Sequence, residues 1–355
     1  MLPKDFHLEA RYYYTTLNDE EKRLYLFMLD CFLKHQYKFR YTMFPDFIPQ
    51  GDTLPAFIHG MEEYSDVCKV YNAVIWDCPE LYYISCSDFE FKEEGYFQFG
   101  SGNGEYTNEE IEEIDKRLDE IYHKFDSITD DFELEVAVHD YILDKYDYEF
   151  EDGELNGRSK EEIFTVVGMI KTGEAVCAAF SRMAQYIFQR RGIPTVNIIA
   201  MAGEDDEEKE LHSWLAVKIK GNYYHVDITF DESSEKDSEI PPYMNFNLTD
   251  NEIRTNHEFL YEEYPNIVCD SYEFNYYHRM GLFFDTKEKV SLGIGKFVEE
   301  NKGCGKIKYF YFRVPLDLSE DEIREGLIIG TRRDAVKEAS FISYGEYYTV
   351  VATFK

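Results

Sequence analysis

Three residues of the types used in thiol catalysis occur along the chain in the order cysteine, histidine, aspartate: Cys177, His212 and Asp227. A cysteine becomes a nucleophile when its thiolate is stabilised by a helix N-terminus and by a histidine that a carboxylate orients. Cys177 follows the short segment Gly173-Glu-Ala-Val, at the predicted start of a helix. An isolated cysteine is more often a small buried hydrophobic residue, so the prediction depends on the surrounding elements.

The helix that carries the cysteine is predicted from apolar residues at helical spacing. These residues are Cys177, Phe180, Ala184, Ile187 and Phe188. Gly192 and Pro194 then end the helix in the expected order. Strands are predicted over 195–201, 211–220 and 223–230, which places His212 at the start of one strand of a hairpin and Asp227 in the other.

The predicted hairpin gives a geometric condition for pairing His212 with Asp227. A two-residue loop at Gly221-Asn222 places Asp227 opposite Ala216, on the same face of the sheet as His212. The offset of four residues is on the order of 13 Å, which is too long for a direct hydrogen bond. We therefore expect a longer loop or a β-bulge that moves Asp227 towards His212.

Four sequence motifs extend the pattern beyond the three residues. They are Gly173-x-Ala-Val-Cys177-x-x-Phe180-Ser181, Gly192-Ile-Pro, Gly203 ahead of His212-Ser-Trp214, and Gly221-x-x-Tyr224-x-x-Asp227-x-Thr229-Phe230. In this order and spacing they resemble the transglutaminase-like fold within the papain-like thiol enzymes. The flanking segments 138–147 and 243–246, with His257, are similar to bacterial members, and the resemblance covers about residues 107–260.

The resemblance implies a role for each of the three residues. Cys177 would be the nucleophile, His212 the general base and acid, and Asp227 the group that orients and stabilises the imidazolium. The chain departs from the family pattern at Leu215 and Tyr223, neither of which is in the triad. The backbone N–H of Cys177 is the one oxyanion-hole donor that we place from the sequence.

The resemblance also implies acyl transfer through a thioester, with three functions left open. Amide hydrolysis in a peptide, as in a cysteine peptidase, is the leading prediction. Protein crosslinking, in which a lysine amine resolves the thioester on a glutamine, is the alternative enzyme class. A binding or scaffold module that retains the fold is the third possibility, and peptide or protein partners suit all three.

The charge balance argues against nucleic acid as a partner. The chain has 37 Lys plus Arg and 71 Asp plus Glu, a formal net charge of −34. Such a surface repels a phosphate backbone. The sequence begins without the basic and apolar pattern of a secretory signal and has no apolar stretch long enough to span a membrane. With its scattered, odd-numbered cysteines, it is expected to be a cytoplasmic protein, or a secreted one if a leader has been removed.

The seven cysteines are odd in number and include no CxxC pair, which argues against a disulfide framework and a tetrathiolate zinc site. The acidic segment 204–210 lacks the ligand spacing of a calcium loop. We therefore expect no metal and no cofactor, and a solvated loop at 204–210. His139 and His225 are expected to be structural.

The remaining elements predict an α+β protein with three domains. A mixed domain covers 1–104, the transglutaminase-like domain covers 105–265, in which the Cys177 helix packs on an antiparallel sheet, and a smaller α+β domain covers 266–355. N-terminal capping signals at Asn18, Thr107, Ser159 and Ser319 mark helices. Further helices are predicted over 57–73, 131–146 and 287–300, strands over 81–85, 306–314 and 347–354, and a linker or loop at the glycines of 100–104. The oligomeric state does not follow from the sequence.

Overall fold

The chain folds into two units, and the boundary between them lies inside a β-strand. The computed structural model describes residues 5–36, 38–40, 65–84, 89–92, 96–99, 106–149, 162–203, 209–232, 241, 243–259, 265–301, 309–331 and 336–354. Contacts between Cα atoms separate Met1–Ile198 from Ile199–Lys355. The division falls inside the strand Thr195–Ala202. The domain boundaries predicted at residues 104 and 265 stay predictions.

The first unit is mainly helical. Its helices are α1 (Tyr12–Thr16), α2 (Asp19–Phe32), α3 (Ser65–Asp77), α4 (Asn108–Tyr122), α5 (Asp131–Lys145), α6 (Val166–Thr172) and α7 (Cys177–Arg190). Strands β1 (Lys38–Arg40), β2 (Phe89–Lys92) and β3 (Tyr96–Phe99) form an antiparallel sheet in the order β1-β3-β2. Strands β4 (Asp147–Tyr148) and β5 (Glu174–Ala175) pair in parallel.

Side-chain caps start the helices where the sequence predicts them. Asn18 and Thr107 each accept from the backbone N–H three residues later, and Glu21 and Glu110 return the interaction in two capping boxes. This satisfies N–H groups that have no partner inside the helix. The predictions for α2 and α4 are thus confirmed, as is the helix expected from Asp131 onwards.

Helix α7, which begins with Cys177, is anchored by buried polar side chains near its other end. The Gln185 amide donates to the carbonyl oxygen of Trp76 over 2.9 Å, and Gln189 accepts from Arg11 over 2.6 Å. Arg11 in turn holds Glu80 with two hydrogen bonds of 2.8 and 3.1 Å. These contacts fix the axis of the helix, and therefore the direction of its N-terminus, within the first unit.

Two predictions in the first unit are changed by the structure. The strand predicted at 81–85 is wrong in its described part: a 3-10 turn occupies Pro79–Leu81, and Tyr82 has helical backbone angles. Its hydroxyl donates to Asp115 on α4, so the aromatic residues pack between helices. The helix predicted over 57–73 continues to Asp77, as part of the helix Ser65–Asp77, and its predicted residues 57–64 lie outside the described residues. Ser159 and the glycines at 100–104 lie outside the described residues, and α6 begins at Val166 after Thr165.

The second unit contains two antiparallel sheets with helices between their strands. The first sheet has the order β10-β6-β7-β8-β9 and comprises β6 (Thr195–Ala202), β7 (Glu210–Ile219), β8 (Asn222–Val226), β9 (Phe246–Leu248) and β10 (His257–Glu258). The second has the order β11-β13-β12 and comprises β11 (Tyr309–Pro315), β12 (Val336–Tyr344) and β13 (Tyr347–Phe354). The helices are α8 (Ile228–Asp231), α9 (Asp250–Ile253), α10 (Tyr276–Arg279), α11 (Lys287–Glu300) and α12 (Glu320–Gly330). The α+β prediction is confirmed.

The β7–β8 hairpin corrects the predicted register. Ile219 pairs with Asn222, so the two-residue loop is Lys220-Gly221, one residue earlier than expected. Both loop residues have positive φ, +49° and +103°, as a type I′ turn requires. This register brings Asp227 two residues closer to His212 than predicted, and the expected longer loop or bulge between β7 and β8 is wrong. The register shift lies instead between β8 and β9.

The C-terminal elements follow their predicted bounds closely. Helix α11 covers Lys287–Glu300 and strand β13 covers Tyr347–Phe354, both as predicted, and Ser319 caps α12. Strand β12 was missed, and the expected closing strand β13 is central in its sheet, between β11 and β12. Among the residues that the structure describes, no helix is both long and apolar enough to cross a membrane.

Candidate active site

The structure brings His212 and Asp227 together in the second unit. His212 Nε2 lies 2.7 Å from Asp227 Oδ2, and 7% of His212 and 1% of Asp227 are exposed. His212 is in β7, and Asp227 directly follows β8. Because the side chains share a face of the hairpin and the register offset is short, they meet without a bulge.

Asp227 is held by its position at the end of a strand and the start of a helix. The strand β8 ends at Val226, four residues before its predicted end, and Asp227 caps α8 by accepting from the N–H of Phe230 over 3.1 Å. Its own N–H donates to the carbonyl oxygen of Asn245 over 2.9 Å. Asp227 therefore caps the helix with Oδ1, while its Oδ2 atom contacts His212.

The electrostatic environment keeps Asp227 ionised. Burial opposes ionisation, but attraction by His212 and hydrogen bonds from His212 and His257 lower the pKa of the Asp227 carboxyl well below its ordinary value. Phe230 packs edge-on to the His212 ring at 5.0 Å between ring centroids. A buried carboxylate beside an imidazole can fix its tautomer and stabilise its cation.

Cys177 is the first residue of α7 in the first unit, after Val176 at the N-terminal cap. Eight per cent of Cys177 is exposed. The backbone N–H of Val176 donates to Ile163 over 3.1 Å, and Gly173 has φ +82°, so the preceding segment is fixed by backbone contacts. N–H groups in the first turn of a 14-residue helix favour a thiolate and could stabilise an oxyanion. Cys177 begins its helix and His212 lies in its strand as expected, whereas Asp227 lies just after the strand in which it was predicted.

A second histidine on Asp227 was missed by the sequence analysis. His257 Nε2 lies 2.8 Å from the same Oδ2 atom, and His257 is buried. Burial lowers the pKa of His257, which favours its neutral form. The segment around it resembled bacterial family members, but a lone histidine 30 residues beyond Asp227 gave no sign of this contact.

His225 and Trp214 form a second buried network beside that of Asp227, since the Trp214 ring also contacts His257. The structural role expected of His225 stays a prediction. The Trp214 indole N–H donates to His225 Nδ1 over 3.2 Å, so the ring proton of a neutral His225 is on Nε2, 2.9 Å from Asp250 Oδ1. Cys269 lies beside this pair, and burial raises the pKa of its thiol. His139 is likewise buried and contacts Asp140. Trp214 is a fully buried core residue.

Two groups among the described residues have ligand atoms close enough to surround a metal ion: His212, Asp227 and His257, and His225, Asp250 and Cys269. In both groups the histidine Nε2 atoms are engaged by carboxylates through hydrogen bonds. A metal ion would have to replace those protons. The geometry present is therefore that of a hydrogen-bond network.

Comparison with known proteins agrees with the resemblance drawn from the motifs. Residues 120–228 match the model of the Transglutaminase-like superfamily, and this range contains all three predicted site residues. No curated protein matches the chain.

Two solved structures are similar to part of this chain. A candidate cysteine protease from Cytophaga hutchinsonii is 21% identical with a TM-score of 0.27, over 33% of this chain and 37% of that chain. A structure described as a TGase is 16% identical with a TM-score of 0.30, over 40% of this chain and 38% of that one. The chain thus spans well under half the length of either protein. The match over 120–228 identifies a transglutaminase-like domain in this part of the chain.

Proposed function

We propose that the chain is a cysteine-dependent acyl-transfer enzyme that hydrolyses amide bonds in peptides, with Cys177, His212 and Asp227 as its catalytic residues. The observation that carries the proposal is the buried hydrogen bond of 2.7 Å between His212 Nε2 and Asp227 Oδ2. The superfamily match supports it, because cysteine-dependent enzymes are known in this superfamily and the match spans the three residues. Cys177 at the start of α7 supplies the thiol.

The proposed first step forms a thioester. His212 Nδ1 takes the proton of the Cys177 thiol, because Nε2 is already directed at Asp227. The sulfur attacks the amide carbonyl carbon, and the carbonyl electron pair moves to oxygen, which the helix N–H groups stabilise. The intermediate then expels the amine, which takes the proton from His212. This step requires the Cys177 sulfur to reach His212 Nδ1.

The proposed second step consumes water. His212 takes a proton from water, the hydroxide attacks the thioester carbon, and the intermediate expels the Cys177 sulfur as a thiolate. The acid leaves, and the imidazolium returns its proton to the thiolate. The sum is amide plus water to carboxylic acid plus amine. A primary amine in place of water would give a new amide, which is the crosslinking reaction.

The first experiment measures the rate of alkylation of each cysteine by iodoacetamide between pH 5 and pH 9, by peptide mass mapping of the full chain. Cys68 is a control within the same sample, because burial raises the pKa of its thiol. We expect Cys177 to react at pH 6 at least about tenfold faster than Cys68, since a histidine-paired thiolate persists below the ordinary midpoint near ~8.5.

Two variants test whether His212 is the cause. His212→Ala should remove the reactivity of Cys177 at pH 6. His123→Ala is the matched control, because His123 also contacts a carboxylate, at the exposed Asp126, but lies far along the chain on another element. If Cys177 has the same pH profile in all three proteins, the proposed activation is wrong.

The choice of acyl acceptor is tested with glutamine-containing peptides in ¹⁸O-labelled water, with and without a primary amine. Incorporation of ¹⁸O into a new carboxyl group supports hydrolysis. An amine adduct supports transfer and overturns the hydrolytic assignment. An inert Cys177 together with no product would favour a binding module.

A further inference from the structure

Asp227 has two imidazole partners on a single carboxylate oxygen. His212 and His257 both place Nε2 within hydrogen-bond distance of Oδ2, at 2.7 and 2.8 Å, while Oδ1 accepts from the Phe230 N–H. We propose that His257 is a positioning residue that holds the Asp227 carboxylate towards His212 and takes a share of its charge. This inference rests on the proposed function, because it concerns the carboxylate that orients the proposed catalytic base.

The ring of His257 is fixed by its strand and by aromatic neighbours. His257 pairs with Ala202 across β10 and β6. Its ring lies 4.7 Å from the Trp214 ring and 4.9 Å from the Phe230 ring, measured between centroids. A ring packed in this way has little freedom to rotate away from Asp227.

The second nitrogen of His257 also has a partner. Nδ1 lies 2.6 Å from the Asn256 side-chain amide at Oδ1. Burial favours the neutral imidazole, which has a single ring proton. The Ile253 backbone carbonyl is a second acceptor for the ring, but the carboxylate is the stronger one, so the proton belongs on Nε2, towards Asp227. The Asn256 amide can then donate to Nδ1, since a half-turn about χ2 exchanges its oxygen and its NH₂ group.

Tyr344 extends this arrangement into the C-terminal sheet. Its hydroxyl donates to Asn245 Oδ1 over 2.8 Å and lies 3.0 Å from the Asn256 amide atom that also contacts His257, which is the NH₂ nitrogen in the rotated amide. The carbonyl oxygen of Asn245 is the one that accepts the Asp227 N–H. Tyr344, 4% exposed at the end of β12, therefore supports Asp227 both through Asn256 and His257 and through Asn245.

Among the described residues, the ionisable groups that change the pKa of His257 are Asp227, which raises it, and His212, which lowers it. His257 in turn lowers the pKa of His225. The packed rings of Trp214 and Phe230 carry no charge. Of these groups, Asp227 supplies the negative charge that both imidazoles share. Without the hydrogen bond from His257, the Asp227 carboxylate should stabilise the protonated form of His212 more strongly. The pH at which His212 titrates should therefore rise.

The test compares His257→Gln with His257→Asn in the full chain, by ¹⁵N NMR titration of the His212 ring, which is assigned by its loss in His212→Gln. Glutamine places an amide N–H near the position of Nε2 and keeps the donor to Asp227, whereas the shorter asparagine does not reach it. We expect the His212 titration midpoint to stay near the wild-type value in His257→Gln and to rise by about half a unit or more in His257→Asn. Tyr344→Phe should give a smaller rise.

Equal midpoints in His257→Gln and His257→Asn, whether shifted or not, would overturn the positioning role. A wild-type midpoint in Tyr344→Phe would overturn the link to the C-terminal sheet. Circular dichroism of each variant verifies the fold, and both polar substitutions keep a side chain able to make hydrogen bonds. Since the NMR measurement needs no substrate, it distinguishes a failure of this inference from a failure of the proposed enzyme activity, which Cys177 alkylation reports.

Discussion

His212 Nε2 lies 2.7 Å from Asp227 Oδ2, and the contact depends on where the β7–β8 hairpin turns. With the turn at Lys220-Gly221, Leu215 pairs with Val226, and Asp227 follows directly. A turn one residue later would move Asp227 by two positions along β7, on the order of 7 Å. The position of the turn therefore determines whether the carboxylate reaches the histidine.

The first prediction concerns the charge of Asp227. We expect Asp227→Asn to reduce the rate of Cys177 alkylation at pH 6 by at least about tenfold, because a neutral amide does not stabilise the His212 imidazolium. Asp126→Asn is the matched control, since it removes the carboxylate of the exposed His123–Asp126 pair. An unchanged rate in Asp227→Asn would show that this carboxylate does not act on Cys177.

The second prediction concerns the turn itself. Gly221 has φ +103°, so Gly221→Ala should destabilise the protein by about 1–2 kcal/mol through backbone strain. Apart from Gly221 itself and its two chain neighbours, no heavy atom of the described residues lies within 4 Å of the added Cβ, so packing should not contribute. The melting temperature, measured by calorimetry, should fall by a few degrees, on the order of 2–4 °C per kcal/mol.

A substitution at Lys220 in the same turn should not lower the melting temperature, in contrast to Gly221→Ala. It has φ +49°, and asparagine tolerates this conformation better than lysine. Lys220→Asn should therefore raise the melting temperature slightly or leave it unchanged. A fall like that of Gly221→Ala would mean that a side-chain contact of Lys220, rather than the backbone angle, governs stability at this turn.

The third prediction concerns a buried ion pair between β11 and α9. Arg313 contacts Glu252 at 2.6 Å, 1% and 0% of the side chains are exposed, and Arg313 also donates to the Met244 carbonyl oxygen over 2.9 Å. Arg313→Met leaves the Glu252 carboxylate buried without its cation, which should cost about 3–5 kcal/mol. The double variant Arg313→Met, Glu252→Gln should recover part of this loss in a thermal unfolding cycle. Additive losses would exclude coupling between the two side chains.

Local signals in the sequence predicted much of the fold. The capping box of Thr107 and Glu110 and the bounds of α11 at Lys287–Glu300 follow from residues a few positions apart. The strand predicted at 81–85 is wrong because aromatic residues suit both strands and packed helices, and Tyr82 uses its hydroxyl to contact α4. Strand β12 was missed; it carries exposed Lys337 and Glu338 at the edge of its sheet.

The candidate site was predictable as far as its motifs extend. Cys177, His212 and Asp227 were predicted from their types and from a resemblance to a family, and their catalytic roles stay predictions. The hairpin register that brings His212 and Asp227 together was not predicted. Gly221-Asn222 has the reverse of the favoured Asn-Gly order, and the turn uses Gly221 as its second residue instead. The contacts of His257 and Tyr344 depend on strand pairing across long stretches of sequence, and no local pattern encodes them.

The last prediction is a pH dependence of stability. Burial lowers the pKa of both His225 and His257, so between their folded values and the ordinary value of 6.5 the unfolded chain binds more protons than the folded chain. Their contribution to stability is thus complete above pH 6.5 and is lost as the pH falls, by at most about 1.4 kcal/mol per pH unit for each group.

Comparison of variants isolates this effect from other titrations. Lower pH also reduces the net charge of −34 and its self-repulsion, which acts in the opposite direction. We therefore compare the change in melting temperature between pH 7.5 and pH 5.5 in the wild type and in His225→Gln, with the exposed His123→Gln as the control. The wild type and the control should lose more stability, or gain less, than His225→Gln, because glutamine takes up no proton. The same pH dependence in all three proteins would mean that His225 takes up its proton in the folded state as readily as in the unfolded chain.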